Sequence, residues 1–230
     1  VISTVQTAFY LTPEERETLG ARGWISVQVK VSDSHDFRLS LLGIGQSLGT
    51  PVPTRNRGLV DELTPLKMHE ASSRSLSRIT GTGQQPWHMD LAHRLEPARY
   101  LVMGMHQSAK ETACTELLEN STLIPKNLQD EAHSEPFLVR TGAQSFYATI
   151  TAKRQSFLRF DPGCMQGATK RAEALMQKLL DQDLKPGYTH TWEAGSVLVI
   201  DNWKMLHRRA DATKSANRTL YRVSVMEGTA

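Results

Sequence analysis

Two histidines and one acid give the first chemical hint. In "QQPWHMD" (84–90), His88 and Asp90 stand two residues apart. In an extended segment both side chains leave the same face, offering an imidazole and a carboxylate to one point. Alone, this spacing is commonplace, and a hydrogen-bonded His–Asp couple explains it equally well. His207 strengthens the case. It follows "GSVLVIDNWKML", an apolar strand and an acid–Asn–Trp turn, and adds a third neutral nitrogen donor. Two histidines and a carboxylate leave one face of an octahedral metal open, an arrangement suited to non-haem Fe(II). Catalytic zinc uses the same donors, and spacing does not separate the two metals.

Arg218 opens "RTLYRVSV", in which Arg218, Leu220 and Arg222 share one strand face. An arginine turned into an apolar interior is costly unless it meets an anion, and its planar fork suits a carboxylate. A solvated face carrying two surface arginines is the plainer alternative. Gln84 and Gln85 enter the metal segment and are candidate substrate contacts, with surface placement as the alternative. Arg159, before the "DPG" turn, is a third candidate, against a structural ion pair. His93 reads as part of the turn after the metal segment, not as a ligand. His106 reads as a strand-end histidine and Trp87 as core. Trp203, in the turn before His207, either shapes a pocket wall or simply packs. "GTG" at 81–83 lacks the lysine and helix of a phosphate loop, and Cys114 and Cys164 belong to no redox or zinc motif.

The elements that must position these residues are mostly strands. "LTPEERETLGARGW" reads as a short helix with Thr12 as cap and Pro13 in its first turn, followed by a strand in "WISVQVKV". A second helix covers "SHDFRLSLLGIGQSLG", with 37, 41, 44 and 48 on one side, and 49–72 reads as a long surface loop bordering a pocket. Strands are expected in "SLSRIT", "RYLVMGMHQ", "PFLVR", "SFYATIT", "SFLRFD", "GSVLVIDN" and "RTLYRVSVME". One helix interrupts them, "GATKRAEALMQKLLDQD", with Ala172, Leu175, Met176, Leu179 and Leu180 on one face. Many short strands with few helices point to a mainly β, double-sheet jelly roll, in a single domain spanning 1–230.

"WHMD", "DNWKMLHRR" and "NRTLYRVSV" together resemble the Fe(II)/2-oxoglutarate-dependent dioxygenases of the taurine-dioxygenase/clavaminate-synthase-like branch. The likeness extends over nearly the whole chain. It implies a double-stranded β-helix with a few flanking helices, and Fe(II) held by His88, Asp90 and His207. It implies a threonine about two dozen residues beyond the acid, in a "G-[DE]-T" setting, bonding the far carboxylate of 2-oxoglutarate. Thr112 in "AKETACTE" takes that place, with Lys110 where glycine is usual. Arg218 is similar to the arginine that salt-bridges the same carboxylate, and Arg222 to a second one that helps hold co-substrate or substrate. The implied reaction consumes O2 and 2-oxoglutarate, releases succinate and CO2, and hydroxylates an unactivated C–H through a ferryl intermediate. Retention of Asp90 disfavours halogenation, while desaturation or cyclisation uses the same ligands. A cupin-like metal or small-ligand binding protein without turnover and a zinc hydrolase are the alternatives of other classes.

Composition sets the partners. The net charge of +3 comes with only small basic clusters, at 55–57, 170–171 and 207–209, without the basic stripe and interleaved aromatics of a nucleic-acid surface. No apolar run reaches membrane-spanning length, no secretory leader opens the sequence, and two cysteines fit a reducing compartment. The expectation is a cytoplasmic enzyme acting on a small polar, carboxylate-bearing metabolite, an amino acid or a derivative of one.

Overall fold

The computed structural model describes residues 9–54, 58–71, 75–107, 111–140, 144–214 and 218–228; the basic run at 55–57 and Lys110 lie outside them. α1 (Pro13–Arg22) begins at a capping box. The Thr12 hydroxyl accepts from the Glu15 amide, and the Glu15 carboxylate accepts from the Thr12 amide. Gly23 ends the helix at φ 78°, a left-handed position that penalises a Cβ. β1 (Trp24–Gln28) follows, then α2 (Ser34–Leu48), capped by the Asp33 carboxylate.

The stretch expected to be a long loop holds two short strands, β2 (Gly49–Val52) and β3 (Asp61–Leu63), both paired with the last strand of the chain. "SLSRIT" is not the expected strand but carries a one-turn helix, α3 (Ser77–Thr80). Its backbone is satisfied locally, by bonds such as Thr80 N–H to Leu76 O and Gly81 N–H to Ser77 O, with no ladder partner among the described residues. "SFLRFD" also forms no strand: Arg159 N–H reaches Ile150 O, while Phe160 O accepts from Met89 N–H, single bonds to two different neighbours.

β4 (Tyr100–Gly104), β5 (Thr115–Glu119), α4 (Gln129–Ser134), β6 (Phe137–Arg140) and β7 (Ser145–Ala148) come next. β8 (Met165–Gly167), α5 (Lys170–Leu180), β9 (Tyr188–His190), β10 (Ser196–Asp201), β11 (Met205–Arg209) and β12 (Leu220–Glu227) complete the chain. The architecture is mainly β with antiparallel sheets. One sheet runs β1-β10-β4-β12-β2, with β3 beside β2 on the same edge of β12; a second runs β11-β5-β9 and a third β7-β6-β8.

The alternation of side chains divides the core. Val102, Val197, Val199, Val223 and Val225 point to one face of the large sheet, where they meet Phe37, Leu41 and Ile44 of α2. Leu101, Met103, Leu198, Ile200 and Leu220 point to the other, where they meet Leu117 of β5 and Met205 of β11. Burying such side chains contributes about 1.5–3 kcal/mol each, which fixes register, because a one-residue slip would reverse every face. On β12 the even positions therefore look inward between the two sheets, and this parity carries Arg222 into the interior. A third cluster packs α5 and the β6 sheet against Trp87 and Met89. On α5, Ala172, Leu175, Met176 and Leu179 are buried as the spacing predicts, but Leu180 is 38% exposed.

Candidate metal centre

His88 does not sit in a regular strand. It forms an isolated antiparallel bridge with His207: each backbone N–H donates to the other's carbonyl, at 3.1 and 2.9 Å. The segment 85–88 thus lies along the free edge of β11, and Gln85 N–H donates to Arg209 O at 3.0 Å. Asp90 lies in the turn that follows. Asn202 holds its peptide from both sides, its Oδ1 accepting from Asp90 N–H at 2.9 Å and its Nδ2 donating to Asp90 O at 3.0 Å. The next residue, Leu91, is buried with φ 59°, a conformation that costs a non-glycine residue about 1–3 kcal/mol. The chain turns sharply at this point to aim the carboxylate.

Ligating atoms of His88, Asp90 and His207 all lie within 4.8 Å of one another. His88 Nε2 is 3.9 Å from Asp90 Oδ1, and His207 Nε2 is 3.7 Å from Asp90 Oδ2. The donor set suits a divalent transition metal. His88 Nδ1 donates to Pro86 O at 3.0 Å, which fixes the tautomer and leaves Nε2 with its lone pair toward the group. Burial, with the nearby His88, pushes His207 down to about 3, so the imidazole is neutral, as a ligand must be. Burial pushes the Asp90 carboxyl up, but Arg222, His207 and His88 outweigh it and hold the group below the ordinary carboxylate range, ionised.

Arg222 has a fork with two acids. Nη1 donates to Asp90 Oδ2 at 2.5 Å and Nη2 to Asp61 Oδ2 at 2.9 Å. The sequence assigned this arginine to co-substrate or substrate; the structure gives both arms to carboxylates. Arg218 is buried, donates from Nη1 to the carbonyl of Ala113, and leaves Nε without a partner among the described residues. Burial, then the neighbouring Arg209, brings it down to about 10, still a cation. Ala113 is the neighbour of Thr112 in the chain, but Thr112 is not among the residues that line the adjoining cavity, whereas Arg218 is.

A cavity of about 370 Å³ opens on the group, lined by His88, Asp90, His207, Arg218 and Arg222 with Gln85, His93, Asp161 and Arg209 among others. Gln84 is not part of the lining; its side chain donates to Glu116 at 3.4 Å. Arg159, the third substrate candidate, is also outside it. Its guanidinium donates to the carbonyls of Ala92, Arg94 and Leu95. Trp87 is core, with Arg208 stacked over its ring at 4.0 Å. Trp203 is tied to Pro97 O by its indole N–H and packs on Phe157. Sequence reasoning missed Asp61, Asp161, Asn202 and Arg209. Each stands in an unremarkable local pattern, and only the fold brings it to the cavity or the metal segment.

The comparisons agree with this geometry. Residues 126–224 match the family described as "Taurine catabolism dioxygenase TauD, TfdA family". The similarity to that family covers this C-terminal part of the chain. The match includes His207, Arg218 and Arg222 and stops short of His88 and Asp90, which the fold supplies. An asparagine oxygenase solved with Fe(II), 2S,3S-3-hydroxyasparagine and succinate is similar to this chain at TM-score 0.72 and 16% identity, over 92% of this chain and 76% of its own. The non-haem iron oxygenase OrfP, solved with Fe, succinate and (3S)-hydroxy-L-Arg, aligns at TM-score 0.66 and 17% identity, over 92% and 79%. A taurine dioxygenase from Burkholderia xenovorans aligns at 0.65 and 16%, over 94% and 83%. At these identities the likeness is one of fold. No curated protein matches the sequence.

Proposed function

We propose that this chain is an Fe(II)/2-oxoglutarate-dependent oxygenase, one domain built on a double-stranded β-helix, that hydroxylates a C–H of a small, polar, carboxylate-bearing metabolite. An amino acid or derivative fits best. The observation that carries the reading is the His88–Asp90–His207 group at the floor of a cavity that also holds a buried arginine with an unspent donor. The similar structures, with iron, succinate and hydroxylated amino acids, support it.

His88, Asp90 and His207 would hold the iron, which with 2-oxoglutarate and O2 supplies the oxidant and the oxygen atom of the product, leaving succinate and CO2. Pro86 O keeps His88 in the tautomer that presents Nε2. Burial keeps His207 unprotonated. Arg218, whose Nη1 is anchored on the carbonyl of Ala113 next to Thr112 in the chain, would grip the far carboxylate of the co-substrate, with Thr112 as its second contact; a zinc hydrolase would have no use for that cation. Asp161 faces the same cavity. Burial pushes its carboxyl up despite the nearby His88, the Gly163 N–H donates to it at 2.7 Å, and no described Lys or Arg pairs with it. A substrate ammonium would supply the missing partner. Gln85, on the cavity wall, is available to orient the substrate. Cys114 and Cys164 form no disulfide among the described residues, which fits a reducing, cytoplasmic setting.

The experiment is succinate formation from 2-oxoglutarate by the Fe(II)-loaded protein across a panel of free amino acids and their derivatives, with His88→Ala and His207→Ala as controls. Succinate and a hydroxylated product that vanish in both variants are the expected result. Tight retention of 2-oxoglutarate without oxidation of any panel member would instead identify a binding protein.

A further inference from the structure

We propose that Asp61 is a positioning residue of the metal centre, acting on Asp90 through Arg222. The inference rests on the metal reading above. Asp61 opens β3 and is 5% exposed. In the β3–β12 ladder it stands directly opposite Arg222. One carboxylate oxygen accepts from Arg222 Nη2 at 2.9 Å, and the other accepts from the Thr54 hydroxyl. Arg222 Nη1 then bonds Asp90 Oδ2 at 2.5 Å, so a chain runs Thr54–Asp61–Arg222–Asp90 and ends on a metal-ligating carboxylate.

Two physical effects make Asp61 necessary to that chain. The first is charge. A guanidinium bonded to a metal ligand repels the incoming dication, and in a buried site the repulsion is weakly screened. Asp61 neutralises Arg222 through the arm that does not bond Asp90, so the arginine orients Asp90 without opposing the ion. The second is geometry. With Nη2 committed to Asp61, Arg222 reaches Asp90 through Nη1 alone, on Oδ2; Oδ1 remains on the His88 side, 3.9 Å from Nε2. Freed from Asp61, the fork can close on both oxygens of Asp90, as arginine prefers with a carboxylate, and compete with the metal for them. Outer partners of ligating carboxylates carry effects of this kind.

Asp61 also lines the cavity, so a direct substrate contact is the rival role, and the test separates the two. Mn2+ is titrated into the ligand-free protein, with neither 2-oxoglutarate nor substrate present, and free ion is read by electron paramagnetic resonance. Asp61→Asn should weaken Mn2+ binding by about 10- to 100-fold while the circular dichroism spectrum is retained. Asp61→Asn combined with Arg222→Gln should recover most of the loss, because the unbalanced cation is gone; a merely structural defect would not be rescued by a second deletion. If Asp61→Asn does not fold, Thr54→Val, which removes only the hydroxyl that steadies Asp61, should still weaken Mn2+ several-fold. Mn2+ affinity within about threefold of wild type in Asp61→Asn, or in Thr54→Val as its stand-in, overturns the proposal, whatever happens to substrate KM. So does a double variant as weak as the single one. A wild-type protein that does not bind Mn2+ at all sinks the metal reading itself, a different outcome from either.

Discussion

Arg159→Met tests how the turn carrying Asp90 is held. Arg159 is 3% exposed, packs over Phe146 and Phe157, and donates to the carbonyls of Ala92, Arg94 and Leu95. Burial brings it down to about 10, which corresponds to roughly 3 kcal/mol set against the charged form. Each bond from a charged donor contributes about 1.5–3 kcal/mol, so three of them outweigh that cost. Methionine fills much of the same space and leaves three carbonyls without a donor. Leu95 is exposed and Arg94 half-buried, so water can replace those two bonds, whereas Ala92 is fully buried. The net expectation is a loss of about 2 kcal/mol, dominated by the Ala92 carbonyl, measured as a shift in the urea midpoint of the ligand-free protein at unchanged slope. Because Ala92 is two residues from Asp90, Mn2+ affinity should fall as well. Stability within about 0.5 kcal/mol of wild type, together with a large rise in substrate KM, would refute this reasoning and return Arg159 to the substrate role its sequence context suggested.

Three further outcomes follow from the same geometry. His93→Ala should leave substrate-uncoupled succinate formation largely intact, in contrast to His88→Ala and His207→Ala; equal loss in all three would make His93 part of the metal centre. Arg218→Met should raise the KM for 2-oxoglutarate by at least tenfold, as removal of a charged partner worth about 1.5–3 kcal/mol requires, with substrate KM little changed. His190 supplies a pH test away from the metal: its Nε2 is 2.8 Å from Ser196 Oγ, Trp192 stands edge-on, and burial pushes it down to about 4. The unfolded chain therefore takes up that proton first, near 6.5, so this contribution to stability is complete above about 6.5 and declines toward pH 4 by up to about 3 kcal/mol. Urea midpoints at several pH values should show the decline, and His190→Gln should flatten it.

The parts of the fold legible in the sequence were those fixed by local chemistry. The Thr12 cap and the apolar faces of α2 and α5 need no distant partner to be recognised. β4, β10 and β12 announced themselves by apolar runs. Where distant contacts decide, the reading failed. β2 and β3 are short, contain Pro or acids, and exist because β12 offers them an edge. "SLSRIT" has strand-forming residues but no edge to join, so it closes on itself as a turn of helix. The convergence of His88, Asp90 and His207 was readable because their residue types are chemically unusual together, and the inward face of Arg218 because it shares strand parity with Leu220. Asp61 and Asn202 carried no such mark: an acid in a polar stretch and an asparagine in a turn acquire their roles only through Arg222 and the peptide of Asp90.

The reciprocal backbone bonds between His88 and His207 mean that two of the three candidate ligands are spaced by the main chain itself. For His207 this backbone bridge is the contact that ties its position to His88. A centre built this way would be assembled before any ion arrives, and ion exchange would then be separable from folding, unlike small domains whose metal is their core. The side chains on this frame are also replaceable one at a time. A change of ligand at position 88 or 207 alters which ions and anions the cavity accepts, while the frame that spaces them is inherited unchanged.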